Sequence, residues 1–183
     1  ADTARVVKLV VPQNITVRDF YVSSVAASSD LSTGFLDFRF VSNLTIRNVE
    51  MHHAWHSLQL RSCINTLVEG CYIHHFRNGV MGSHVPPERQ TSVELINNEI
   101  AFCGQGDNLH HNVYMSRVDS LTARGNYFHS SYGGHGLKFI AHRAIVTGNR
   151  GNSRTETADA ERRTGLDVAW AYIAGFAKVA ALP

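Results

Sequence analysis

The sequence predicts an all-β protein, a right-handed parallel β-helix in which the chain winds as a solenoid and each turn pairs with the next. Three observations predict it. Six stretches of the 183-residue chain resemble one another. A second strand-like stretch recurs within the repeating unit. No helix-length apolar stripe lies between the strands, so a parallel arrangement needs a coil that buries one continuous core.

The first strands are ITVRDFYV from Ile15, LTIRNVEM from Leu44, TLVEGCYI from Thr66, VELINNEI from Val93, LTARGNYF from Leu121 and AIVTGNR from Ala144. Their starts lie 29, 22, 27, 28 and 23 residues apart, the period of a stacked supersecondary unit. Each opens with alternating apolar residues, such as Leu44, Ile46 and Val49, and then bends at Gly or Asn. The sixth position holds Phe20, Val49, Cys71, Asn98, Asn126 and Asn149. Its last three members predict a stack whose side-chain amides bond up and down the column. The last position holds Val22, Met51, Ile73, Ile100 and Phe128, all apolar.

The second stretch of each unit reads GFLDFRF from Gly34, HSLQLRS from His56, GVMGS from Gly79, NVYMSRV from Asn112 and GLKFIA from Gly136. These units place the parallel β-helix in residues 1–153. Residues 154–183 form a separate, alanine-rich tail. There Thr164 can cap a helix with the stripe Leu166, Trp170, Ile173, Ala177 and Ala180, although Gly175 costs it about 1 kcal/mol. The tail reads as a helical or irregular cap over the open end of the coil, or as a segment foreign to the fold.

Composition narrows the function. Charged residues are 17% of the chain and the net charge is +2. With no Lys/Arg run or aromatic ladder, nucleic acid is not an expected partner. No 18-residue apolar run predicts a membrane span. The start, ADTARVV, shows no signal-peptide pattern, although a removed signal is compatible with it. Three cysteines lack a CxxC spacing, and Cys71 falls on an inward column as a core residue.

Aligned on inward residues Leu58, Val80, Val113 and Leu137, the second stretch becomes a map. One outward column reads Gln59, Met81, Tyr114 and Lys138. The next reads Arg61, Ser83, Ser116 and Ile140. A column just before the strand reads His56, Asn78, His111 and His135. Rungs are about 4.8 Å apart, so Tyr114 should neighbour Lys138, and His111 should neighbour His135. Such a group suits acid–base chemistry on a uronic-acid polymer, whose C5 proton needs a base, a cation for the developing enolate and an acid for the leaving O4. Lys138 can neutralise charge or act as base. His135 or His111 can be the base, and Tyr114 the acid. Arg61 can grip a further carboxylate, with Gln59, His56 and Asn78 as other substrate contacts. The bland reading is an ordinary solvated face.

Histidines His52, His53, His74, His75 and His129 gather at a turn, with His52 stacked over His74. They do not form one column, and no carboxylate or thiol joins them at a recognisable spacing. Two or three imidazoles at such spacing could bind zinc, but without those partners no metal and no cofactor is the expectation. Glycoside hydrolysis needs facing carboxylates. The mapped columns hold none, with Asp107 in a loop and Asp119 at a turn.

The segment from His110 to Arg150 carries His111, Asn112 and Tyr114, then Asn126 to His129, then Gly134, His135 and Lys138. In these motifs it resembles bacterial right-handed parallel β-helix repeat proteins of the pectate-lyase-like superfamily, and the repeat resemblance extends over residues 13 to 150. It lacks the signatures of calcium-dependent pectate lyases, polygalacturonases and alginate epimerases. Phe139 and Ile140 stand where such relatives carry Ser-Arg. The resemblance implies a secreted or periplasmic protein acting on an acidic polysaccharide, as a uronate lyase or epimerase if it is an enzyme. The alternative is a non-catalytic carbohydrate-binding or structural solenoid, as in tailspikes and adhesins. Nothing in these residues sets the oligomeric state.

Overall fold

The structure is a computed structural model that describes residues 7–10, 13–23, 34–83, 90–104, 109–152 and 171–172. All thirteen of its strands pair in parallel, and no helix occurs among the described residues. They are β1 (Val7–Val10), β2 (Gln13–Ser23), β3 (Gly34–Arg39), β4 (Ser42–Arg61), β5 (Ile64–Glu69), β6 (Tyr72–Ser83), β7 (Gln90–Ile96), β8 (Glu99–Ala101), β9 (Val113–Arg124), β10 (Tyr127–His129), β11 (Leu137–Thr147), β12 (Arg150–Asn152) and β13 (Ala171–Tyr172). Each winding contributes to three sheets, so the molecule is a parallel β-solenoid.

The repeat starts read from the sequence are paired residues in the structure. Ile15, Leu44, Thr66, Val93, Leu121 and Ala144 follow one another down the first sheet. The second sheet stacks Val22, Met51, Ile73, Ile100 and Phe128. The third stacks Leu36, Leu58, Val80, Val113 and Leu137. Period-two alternation turns Leu44, Val93 and Leu121 of the first stack, Met51, Ile73, Ile100 and Phe128 of the second and all five residues of the third into one buried cluster, with Ile15 and Ala144 packed against it. Cys71 lies in that cluster as expected, and all three cysteines are buried and free. Burial pushes the Cys63 thiol up to about 11 and the Cys103 thiol up to about 12, so neither is a nucleophile near neutral pH.

The corner between first and second sheets explains the Gly and Asn of each repeat. Asp19, Asn48, Gly70, Asn97, Gly125 and Gly148 all adopt positive φ there, between 52° and 66°. At Gly125 a Cβ would stand 2.3 Å from Asn97 Oδ1, so a side chain there would have to displace the Asn97 amide, and glycine also takes the positive φ without strain.

Immediately after this corner lies the predicted asparagine column. Asn98 Nδ2 donates to Asn126 Oδ1 at 2.9 Å, and Asn126 Nδ2 donates to Asn149 Oδ1 at 2.8 Å. Each oxygen also accepts the backbone N–H of the winding before it, from Cys71, Asn98 and Asn126 in turn. Each amide nitrogen also donates to a carbonyl, of Val68, Leu95 and Ala123. A second ladder, missed in the sequence, runs through exposed Asn14, Asn43 and Asn65 to half-buried Ser92.

The tail is described only at Ala171 and Tyr172, which are extended and pair with Phe139 and Ile140. At these two positions the chain adds a rung to the third sheet. The remainder of the expected helical stripe, Thr164 to Ala180, lies outside the described residues.

Asn126 is 1% exposed. Asn126→Ala removes the acceptor of two Asn98 donors and frees a buried carbonyl, at about 1–3 kcal/mol for each orphaned group. Urea unfolding should show a loss of about 3 kcal/mol or more, whereas Ser92→Ala, which removes the last bond of the outer ladder at an ordinary φ, should cost under about 1 kcal/mol. Equal losses would overturn the ladder's central role.

Candidate functional site

The third sheet presents the candidate site. Its outer column runs Asp37, Gln59, Met81, Tyr114 and Lys138 in consecutive pairings. Exposure changes along it: Asp37 and Gln59 are fully buried, whereas Met81, Tyr114 and Lys138 are half-buried. The accessible part of the column is therefore its later half.

The four predicted catalytic residues come together there. Lys138 Nζ stands 5.4 Å from the centroid of the Tyr114 ring. The His111 ring lies 5.6 Å from Tyr114 and 5.1 Å from His135, centroid to centroid. His111 differs from expectation in being only 1% exposed. Its Nδ1 accepts the backbone N–H of His135 at 2.9 Å, and the ring nitrogens Nδ1 of the two residues are 3.4 Å apart. An Nδ1 that accepts leaves the ring proton of neutral His111 on Nε2. His111 thus holds its neighbour His135, which like Tyr114 and Lys138 is half-buried. Gly134 permits this close stacking, since a Cβ there would lie 1.9 Å from the His110 carbonyl oxygen and 2.3 Å from His111 Nδ1.

The predicted substrate contacts are mostly internal. His56 and Asn78 are buried at 4% and 5% exposure, not outward. Their stacking is as read: Asn78 Nδ2 lies 3.3 Å from His56 Nδ1, and Asn78 Oδ1 accepts the His111 N–H at 2.8 Å. The column is a buried polar seam that positions the strand starts. Gln59 is covered as well, and its Oε1 accepts from Arg61 Nε at 3.1 Å and also from Arg61 Nη2.

Arg61 is committed to a partner the sequence map left out. Asp37 sits one rung above Gln59, with Arg39 Nη2 at 3.0 Å and Arg61 Nε at 3.5 Å. This corrects the expectation that the outer columns hold no carboxylate. A buried carboxylate is tolerable here because two guanidinium groups face it. The signal was present: Leu36-x-Phe38-Arg39 repeats as Leu58-x-Leu60-Arg61. Asp119 lies within β9, not at a turn, with its Oδ1 3.9 Å from His142 Nε2. Asp107 is outside the described residues.

The turn histidines form two adjoining columns rather than a scatter. His52 and His74 stack at 4.9 Å and 16°, and His53 and His75 stack at 4.9 Å and 8°. His129 occupies the first column two rungs below His74, past Ala101, and its Nε2 lies 3.1 Å from Glu99 Oε1. Among the described residues no group of three or more His, Cys, Asp or Glu side chains is arranged to hold a metal ion. No helix among them is long and apolar enough to cross a membrane.

Comparison with family models, curated proteins and solved structures gives no match.

Burial is the first cause that lowers the pKa of His74, followed by repulsion from His75 and His52, against which Glu50 acts in the raising direction. Burial also lowers His75, with His53 and His52 adding to it. A histidine whose folded pKa is lowered binds its proton better when unfolded, so its contribution to stability is complete above 6.5 and lost as pH falls through the lowered values. The thermal unfolding midpoint should therefore drop as pH falls below about 6.5, and His74→Gln with His75→Gln should flatten the profile. A wild-type profile no steeper than that of the double substitution would contradict this reading.

Proposed function

We propose that the chain acts on an acidic polysaccharide outside the cytoplasm, as a uronate lyase or epimerase that removes the C5 proton. The observation that carries this reading is the pairing of Tyr114 with Lys138 across two neighbouring windings, with the His111 ring beside both Tyr114 and His135. The resemblance of the segment from His110 to Arg150 to pectate-lyase-like β-helix proteins supports it.

In this reading His135 takes the C5 proton. Lys138 neutralises the uronate carboxylate and stabilises the negative charge that builds on it as the proton leaves. Tyr114 gives its proton to O4 while the C4–O4 bond breaks. The electrons of the former C5–H bond become the C4–C5 double bond. Epimerisation would share the first step and return a proton to C5 from the opposite face. The buried His111 fixes His135 rather than touching substrate. Asp37, Arg39 and Arg61 hold one another and leave the binding of acidic sugars to the later windings.

Polyuronates incubated with the protein should yield the ultraviolet absorbance of an unsaturated uronate, or solvent deuterium at C5 without cleavage. Lys138→Ala and Tyr114→Phe should each lower the rate about 10²-fold or more, whereas Arg47→Ala on the first sheet should not. Retained binding without turnover on any polyuronate would replace this reading with that of a carbohydrate-binding or structural solenoid.

A further inference from the structure

Two neighbouring windings each end their second-sheet strand with consecutive histidines, His52–His53 and His74–His75. At the corner that follows, His53 and His75 adopt φ values of 61° and 59°. This turn swings the second ring of each pair against the first. The Nδ1 atoms of His74 and His75 face each other at 2.6 Å, and those of His52 and His53 are likewise in contact. Two imidazole nitrogens that meet head-on either share one proton or enclose a cation.

Oxygen groups lie on the far side of the two first rings. His52 Nε2 contacts Tyr21 Oη. His74 Nε2 is buried and without a hydrogen-bond partner, and Glu50 Oε1 is 3.5 Å away. A carboxylate behind one ring nitrogen, with the other aimed at a second imidazole, is the arrangement that makes histidine a good metal ligand. The cluster is reachable, since His75 and His53 are exposed. Its ring faces are taken up internally, by Tyr72 on His74 at 4.0 Å and Phe102 on His75 at 4.8 Å. It therefore offers nitrogen edges and not a stacking platform for sugars.

We propose that His74 and His75 bind one divalent transition-metal ion through their Nδ1 atoms, at a site separate from the third-sheet patch. Glu50 orients His74. With metal–nitrogen bonds of about 2.0–2.1 Å in a tetrahedral arrangement, the two nitrogens must separate to about 3.3 Å, a small ring rotation. Two imidazoles make a bidentate site, and water completes the coordination. Imidazole selects Cu²⁺, Ni²⁺ or Zn²⁺ over Ca²⁺ and Mg²⁺, with Cu²⁺ bound most tightly. His52–His53 is a weaker second site, because an ion one rung away, about 4.8 Å, repels a second.

The test is a Cu²⁺ titration of protein carrying no affinity tag, followed by calorimetry and electron paramagnetic resonance. One equivalent should bind more tightly than the rest and show nitrogen coupling. His75→Gln, at an exposed position, should weaken that equivalent at least tenfold. Glu50→Gln should weaken it by about tenfold to a hundredfold, and His142→Gln should leave it unchanged. Circular dichroism checks that each variant remains folded. The proposal is overturned if His75→Gln binds the first equivalent as the wild type does, or if His142→Gln removes it.

Discussion

The fold rests on the pairing of every strand with its equivalent one winding away, locked in register by a buried column of asparagines. Side chains alternate with a period of two, so a slip of one residue between windings would turn every core residue outward. The amides of Asn98, Asn126 and Asn149 resist such a slip because each joins its counterpart and the neighbouring backbone together. The same lock carries the geometry of the candidate site. Tyr114 meets Lys138, and His52 meets His74, only because their windings are in step.

Much of this was legible in the sequence, and for a physical reason. A solenoid repeats its local geometry, so Leu44 and Leu121 announce the same pairing, and Asn126 and Asn149 announce the same corner. What repeats says less about is exposure. His56, Asn78 and His111 read as surface residues by analogy with their outward neighbours, yet they form a buried seam. Asp37 escaped because its winding was recognised as a strand but not carried into the column that begins at Gln59. The pairing of His53 with His75 was hidden for another reason: it depends on a backbone turn to positive φ that histidine rarely adopts and that no periodicity reports.

The two histidine groups show how one residue type acquires different chemistry from its place in the winding. Just before the third sheet, the His111 ring is enclosed and bound to the His135 backbone. At the end of the second sheet, the rings are paired side by side and stacked rung over rung. The first setting fixes an orientation. The second brings imidazole nitrogens into direct confrontation.

The step from first to second sheet takes five residues wherever it is seen, from Leu44 to Val49, Thr66 to Cys71, Val93 to Asn98 and Leu121 to Asn126. The step from second to third sheet is nine residues from Val49 to Leu58, fifteen from Asn98 to Val113 and eleven from Asn126 to Leu137. One edge of the coil is thus a spine of constant length, and the edge bordering the third sheet is elastic. Loops grafted or lengthened on that elastic edge could reshape the border of the third sheet while the spine keeps the winding count and phase intact.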